Sequence, residues 1–416
     1  MTSPPTPTNL TLLHPTDEEQ VAIWAQGYAE WGSHLTPTQY EARERHLMST
    51  SLLRSGGLTP WMLTSSEGGE GNRTALASCE TLRKRAFVRV GSGEVKLVRA
   101  EGVASVFVEP RFRRRGYAAR MMGLLASALK DREDVAFSVL YSDIGREFYA
   151  RLGWRVHPSC HVSLCVPPSP SPSPSTSEAK PVEDEGDDDG GRVTAITDNQ
   201  LPSLAEQDEL RLRSKLSSYP ASPTIRLALI PDLATLQWHF ARQDFLADYI
   251  DSLPRLPGEP MRGALYEGND EKDGEKCRVW VLWTVKSEPS DSEAGEGSKS
   301  SSNKLEFLRL SYPESISQPQ LQAAVKALIK GALSQSRRWL CTSIQIWNPD
   351  ERLRPILEGM TQLRPELVER EDSSIASLLW LGQDGLGGEC LEAVEEKKGE
   401  KGVDVDWIAN DKFGWC

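Results

Sequence analysis

The chain has 416 residues, which at about 100–200 residues per domain predicts two or three domains. Hydrophobic residues make up 38% of it, and 32 Gly with 27 Pro place part of its length in linkers rather than core. A net charge of −12 argues against a nonspecific nucleic-acid binder, and no run of 18 apolar residues is present to cross a membrane. Met1–Leu13 has neither a basic segment nor an apolar one, so no secretory signal is expected. The seven Cys are scattered and odd in number, which predicts reduced thiols in a cytoplasmic setting and no zinc site.

In chain order, residues 1–9 read as a flexible start. Asp17 precedes a periodic segment with Val21, Ile23, Trp24 and Tyr28, and Thr36-Pro37 opens a second helix through Leu47. Strand-like runs follow at 61–64, 74–79, 86–90 and 102–108. A helix is expected over 117–129, a buried strand over 136–141, a short helix over 145–152, and a closing strand pair at 154–156 and 161–165. Residues 167–191 alternate Pro and Ser and then run acidic, which predicts a disordered linker between a domain at 10–166 and a second at 192–381. The second block repeats the order of elements: helices at 201–216 and 233–249, strands at 263–266, 278–285 and 305–310, a helix at 319–334, then strand, helix and two strands to residue 380. A Ser/Glu/Gly-rich insertion at 287–303 and a linker at 382–402 interrupt it, and the aromatic tail 403–416 reads as docked. The whole is an α/β plan.

The most informative stretch is Val106-Phe107-Val108-Glu109-Pro110 followed by Arg111-Phe112-Arg113-Arg114-Arg115-Gly116-Tyr117-Ala118. A strand ends, a basic turn follows, and a glycine stands where a helix begins. Helix starts present unpaired N–H groups and a positive dipole end, so Arg113–Ala118 forms a candidate pyrophosphate cradle. His157 and His161 with Cys160 and Cys165 read as alternation in strands, not as a metal site, and Trp238-His239-Phe240 reads as a helix packing face.

Arg113-x-x-Gly116-x-Ala118 resembles motif A of the GNAT acetyltransferase superfamily, and Phe148-Tyr149 leading to Gly153-Trp154 resembles its motif B. Leu140-Tyr141-Ser142-Asp143-Ile144-Gly145, the two-block layout and the Trp/Cys ending make the chain similar to the fungal lysine N-acetyltransferases of lysine degradation. The resemblance implies a splayed mixed sheet with helices on both faces, and a second domain that is a degenerate GNAT-like unit. It implies acetyl-CoA as cosubstrate, bound by Val106, Phe107 and Val108 along its arm and by Arg113, Arg114, Arg115, Gly116, Tyr117 and Ala118 at its pyrophosphate. It implies transfer to the side-chain amine of free L-lysine. Another small amine, a protein amine, or acyl-CoA sensing without turnover are the alternatives. Tyr149 is then the candidate proton donor to the departing thiolate, with packing beside Phe148 and Trp154 as the alternative. The candidate bases are Glu101, just before the fourth strand, and the C-terminal carboxylate of Cys416. No metal, nucleic-acid or membrane partner is expected.

Overall fold

The computed structural model describes residues 9–415 except 33–34, 55, 66–72, 169–190, 251–252, 270–275, 288–302 and 383–403. Nearly all of the linker at 167–191, of the insertion at 287–303 and of the linker at 382–402, together with Cys416, therefore lies outside the described residues.

The first half forms β1 (Leu10–Leu13), α1 (Asp17–Trp31), α2 (Pro37–Met48), α3 (Ser51–Arg54), β2 (Leu58–Ser65), β3 (Ala77–Gly91), β4 (Lys96–Phe107), α4 (Tyr117–Lys130), β5 (Val135–Ser142), α5 (Glu147–Ala150), β6 (Arg155–Val156) and β7 (Cys160–Cys165). The second half forms β8 (Arg192–Ile196), α6 (Leu201–Ser218), β9 (Ser222–Leu229), α7 (Leu233–Tyr249), β10 (Gly263–Asn269), β11 (Lys276–Lys286), β12 (Asn303–Ser311), α8 (Gln318–Arg338), β13 (Cys341–Trp347), α9 (Arg354–Glu358), β14 (Glu366–Glu369), β15 (Ile375–Trp380) and, in the tail, β16 (Val405–Trp407).

Local chemistry fixes the long helices. Thr16 and Thr36 each cap a helix through a capping box, with Glu19 and Gln39 closing it. Ser317 does the same for α8 with Gln320, and Asp232 caps α7 by accepting from Thr235 N–H. Among the described residues, no helix is long and apolar enough to cross a membrane.

The strands form two sheets, ordered β1-β2-β3-β4-β5-β15-β6 and β14-β7-β13-β12-β11-β10-β8. In the first, β3 shares one edge between β2 and β9, and β16 lies parallel to β9. The runs expected at 74–79 and 86–90 are thus one strand. Leu82-Arg83-Lys84-Arg85 between them reads as polar, yet Arg85 is held by Glu209 at 2.7 Å and the ladder to β4 runs through it unbroken.

The expected closing pair at 154–156 and 161–165 does not form. Strand β6 pairs with β15, whereas β7 crosses to the second sheet and lies between β13 and β14. In return β15 enters the first sheet beside β5, from Ile375↔Ser142 to Trp380↔Phe137. The crossing is pinned at buried Ser159, whose Oγ accepts from Ala376 N–H at 2.8 Å and whose carbonyl accepts from Arg370 N–H at 2.9 Å. Three residues between β6 and β7 turn the chain from one sheet to the other, which hydrophobic alternation does not reveal. One apolar cluster joins the halves, with Ala86, Phe137 and Leu227 packed among Trp280, Leu308, Trp407 and Phe413.

Residues 1–166 alone leave β5 without β15. Because β15 buries Ile375, Ala376 and Leu378, at roughly 1.5–3 kcal/mol for each large side chain, that fragment is expected to aggregate. Co-expression with 192–416 is expected to restore a 1:1 complex on size-exclusion chromatography. A folded, monodisperse 1–166 monomer would show that the exchange is dispensable.

Candidate functional site

Strands β4 and β5 run parallel, but their ladder extends only from Arg99↔Val135 to Val103↔Leu140. Beyond it they part. Strand β4 carries one extra residue against β3, between the pairs Glu80↔Ala104 and Ser78↔Phe107, and Ser105 takes up the bulge at φ 52°. The backbone of 104–107 turns away from β5 and opens a cavity of about 950 Å³. Its walls include Val106, Phe107, Val108, Arg113, Arg114, Gly116, Tyr117 and Ala118, together with Tyr149.

At the cavity's mouth, Arg114 and Gly116 adopt left-handed backbone, with φ 64° and 78°. Gly116 caps α4 with no side-chain hydrogen bond, and a Cβ added there would meet open space. The first N–H groups of α4 therefore face the opening without a covering side chain. Arg113 braces the turn by donating to Val108 O at 3.0 Å and to Glu30 at 2.6 Å. Arg115 is not on the cavity wall; its guanidinium lies 5.8 Å from the Phe112 ring.

Tyr149 is 7% exposed and packs edge-on against Phe148 at 4.9 Å. Burial pushes its phenol above the usual tyrosine value, so it stays protonated and available as a donor.

Glu101 is placed differently from expectation. It lies inside β4, is 1% exposed, and is absent from the cavity wall. Arg99 holds its carboxylate at 2.5 Å, and Arg132 stands at 3.6 Å. A carboxylate tied to two guanidiniums has no free path to a substrate proton. Strand β4 begins at Lys96, ahead of the expected start at 102, and so takes Glu101 into its interior.

The carboxylate that does line the cavity is Glu80 on β3, opposite the bulge. Desolvation and the nearby charge of Glu44 push its pKa up to about 7, and hydrogen bonding, that of Ser105 foremost, offsets this in part. Gln20 Nε2 donates to it at 3.3 Å. Sequence reasoning missed Glu80, because its partners lie some 25 to 60 residues away on three other elements.

The tail reaches the same cavity. Trp415 is on its wall, stacked on Tyr141 at 4.5 Å and tilted against Trp347 at 4.8 Å. Asn348 donates to Asn410 O at 2.6 Å, Asp411 pairs with Arg309 at 2.5 Å, and Lys412 pairs with Glu306 at 3.3 Å. The Lys412 ammonium also sits 3.3 Å from the Trp415 ring centroid. His239 Nε2 bonds Phe413 O at 2.9 Å; burial pushes the imidazole down to about 3, so the ring is neutral and donates. The proposed carboxylate of Cys416 lies outside the described residues.

A family model described as a GNAT acetyltransferase domain matches residues 88–157, which carry the splay, the glycine turn and Tyr149. A second, described as the LYC1 GNAT-like C-terminal domain, matches 172–416. A protein of Yarrowia lipolytica named lysine acetyltransferase is 24% identical over 264 residues, covering 57% of this chain. The match covers 65% of that relative, so the chain spans less than two thirds of its length. Among solved structures, a probable N-acyltransferase of unknown function from Enterococcus faecalis V583 superposes with a TM-score of 0.50 at 13% identity, over 90% of this chain and 73% of the other. The architecture is accordingly two GNAT-like α/β units, and with more than half of its length under the second model the chain belongs to the GNAT family defined by the LYC1 GNAT-like C-terminal domain.

Proposed function

We propose that the protein transfers the acetyl group of acetyl-CoA to the side-chain amine of free L-lysine. The observation that carries this reading is the convergence, in one cavity, of the β4/β5 splay, an open glycine turn at a helix start, and a carboxylate with a raised pKa. The name of the Yarrowia relative supports lysine as the acceptor.

The residues present fit an acyl-CoA. The space over Gly116, the α4 N-terminus and Arg113–Arg114 suit a pyrophosphate, and the edge of β4 that faces β5, left without a ladder past Val103, suits an extended amide arm. When bound, acetyl-CoA supplies an acyl carbon activated as a thioester.

The protein's part is to position and to move protons. A lysine ammonium must lose a proton before it attacks. A Glu at its ordinary pKa would leave that transfer about 8 kcal/mol uphill, from the roughly 6-unit gap to an amine near 10.4. With Glu80 at about 7 the gap narrows to roughly 5 kcal/mol. Backbone N–H groups on β4 beyond the splay face the carbonyl oxygen, where charge develops. The Tyr149 hydroxyl donates toward the leaving sulfur. The second amine proton, released as the amide forms, replaces the one Tyr149 gave to the thiol.

Thiol release from acetyl-CoA, measured against free amino acids, simple amines and peptides, tests the reading. Lysine is expected to lead, and no release with any amine would refute transfer. Gly116→Glu puts bulk and negative charge over the cradle, so calorimetry should show acetyl-CoA binding lost in a variant with unchanged circular dichroism. Below pH 7 Glu80 becomes protonated and cannot accept, so kcat/KM should fall on the acid side with an inflection near pH 7. Glu80→Gln should lower kcat about 10²–10⁴-fold and erase that inflection; an unchanged profile would remove Glu80 as the base. Tyr149→Phe should lower kcat by a similar factor with acetyl-CoA affinity intact, whereas unchanged turnover under rate-limiting chemistry would leave Tyr149 as a packing residue.

A further inference from the structure

The inner wall of the same cavity carries a cation that the proton-transfer scheme does not use. Arg242 lies on α7, and its side chain retains accessible surface while lining the cavity. It makes no hydrogen bond or ion pair with any described residue. The two carboxylates whose charge reaches it are already engaged. Glu44 is paired with Arg43 at 2.5 Å, and Glu306 is paired with Lys412 at 3.3 Å.

Those pairs cancel, and four groups on the wall have no ion-pair partner among the described residues: the guanidiniums of Arg114, at the mouth, and Arg242, and the carboxylates of Glu80 and Asp143. Desolvation within the cavity and the positive charge of Arg43 push the Arg242 guanidinium below the usual arginine range. One turn earlier on α7, the buried indole N–H of Trp238 also lacks an acceptor. This segment of α7 therefore has two donors and no acceptor.

We propose that Arg242 is the receptor for the α-carboxylate of the acceptor, which makes the site selective for a free amino acid over a simple amine or a residue within a polypeptide. A guanidinium matches a carboxylate in a planar, bidentate pair, and Arg242 offers a cation that no described carboxylate pairs with directly. A lysine inside a protein has no free α-carboxylate, so the same residue excludes it. The proposal rests on the acetyl-transfer reading for its activity test, but binding of the amino acid tests it independently.

The experiment compares lysine with cadaverine, which is lysine without its carboxylate, and with lysinamide, on the full chain and on Arg242→Gln. The ratio of kcat/KM for lysine over cadaverine is expected to fall about 10²-fold in the variant, the range for a hydrogen bond between charged groups. The loss should appear in KM, and Arg242→Lys should recover part of it. Acetyl-CoA affinity measured by calorimetry reports whether the variant is folded. An unchanged ratio, including an equal loss on all three acceptors, would mean that Arg242 serves the cofactor or the chain's own tail, and would overturn the proposal. If the wild type releases no thiol with any amine, the transfer reading fails instead. Lysine binding by calorimetry then decides this one: binding by wild type and not by Arg242→Gln supports it, and equal binding or none overturns it.

Discussion

Strand β5 is braced along one edge by β15 from Phe137 to Ser142, while on its other edge β4 releases it after Leu140. The cavity depends on that asymmetry. A strand that parts from its neighbour leaves buried N–H and C=O groups unpaired, at about 1–3 kcal/mol each. With a complete ladder on the opposite edge, β5 remains in the sheet and the splay stays open. That ladder comes from the second half of the chain, and β7 makes the reciprocal gift to the second sheet. Neither sheet is complete without the other half, so the cavity is a property of the whole chain.

The tail extends this interdependence. Arg309 on β12 sits between Asp208 on α6 and Asp411 in the tail, with contacts of 2.8 and 2.5 Å. Taking three charges out of water is expensive, and such triads often contribute little net stability. Their geometry is nevertheless exacting, since removing one partner leaves another charge buried and alone. The triad fixes the position of Asp411; Lys412–Glu306 and His239–Phe413 then hold the next two residues. Trp415 is thereby set against Tyr141, so residues of α6, α7 and β12 shape a cavity whose glycine-turn wall belongs to the first half.

What the sequence made legible was local. The Thr36-Pro37 helix start, the span of α4, and the glycine turn after Pro110 each carry their signal within a few residues, and the structure places them accordingly, whereas the cap of α1 is Thr16, one residue before the Asp17 expected to signal it. Pairing partners were not legible. Nothing in His161–Cys165 distinguishes a strand that stays in its own sheet from one that crosses to another, and Ser222–Leu229 was passed over although it completes the edge of β3. Strand β4 opens at Lys96, ahead of the expected 102, and that shift moves Glu101 from a strand boundary to a buried ion pair. Glu80 and Arg242 sit in segments with no motif; only the fold brings them to one wall.

The second unit clarifies what the first requires. Its parallel strands β12 and β13 also part, after Phe307↔Ile346, and a second cavity of about 1000 Å³ opens there. The turn that follows is Tyr312-Pro313-Glu314-Ser315, with no glycine in left-handed backbone and an acidic side chain in place of a basic one. Three cations on this wall are already matched, Arg309 by Asp208 and Asp411, Lys215 by Glu314 at 2.9 Å, and Arg226 by Asp406 at 3.6 Å, while Arg211 donates to Ser311 Oγ and Arg278 O. Residues 404–411 of the tail run along it. An anionic ligand would have to displace these carboxylates, whereas at Gly116 the N–H groups and the space over them are free. The same strand geometry thus serves two ends: in the first unit it leaves an opening for a ligand, and in the second it receives the chain's own tail and orients it toward the first.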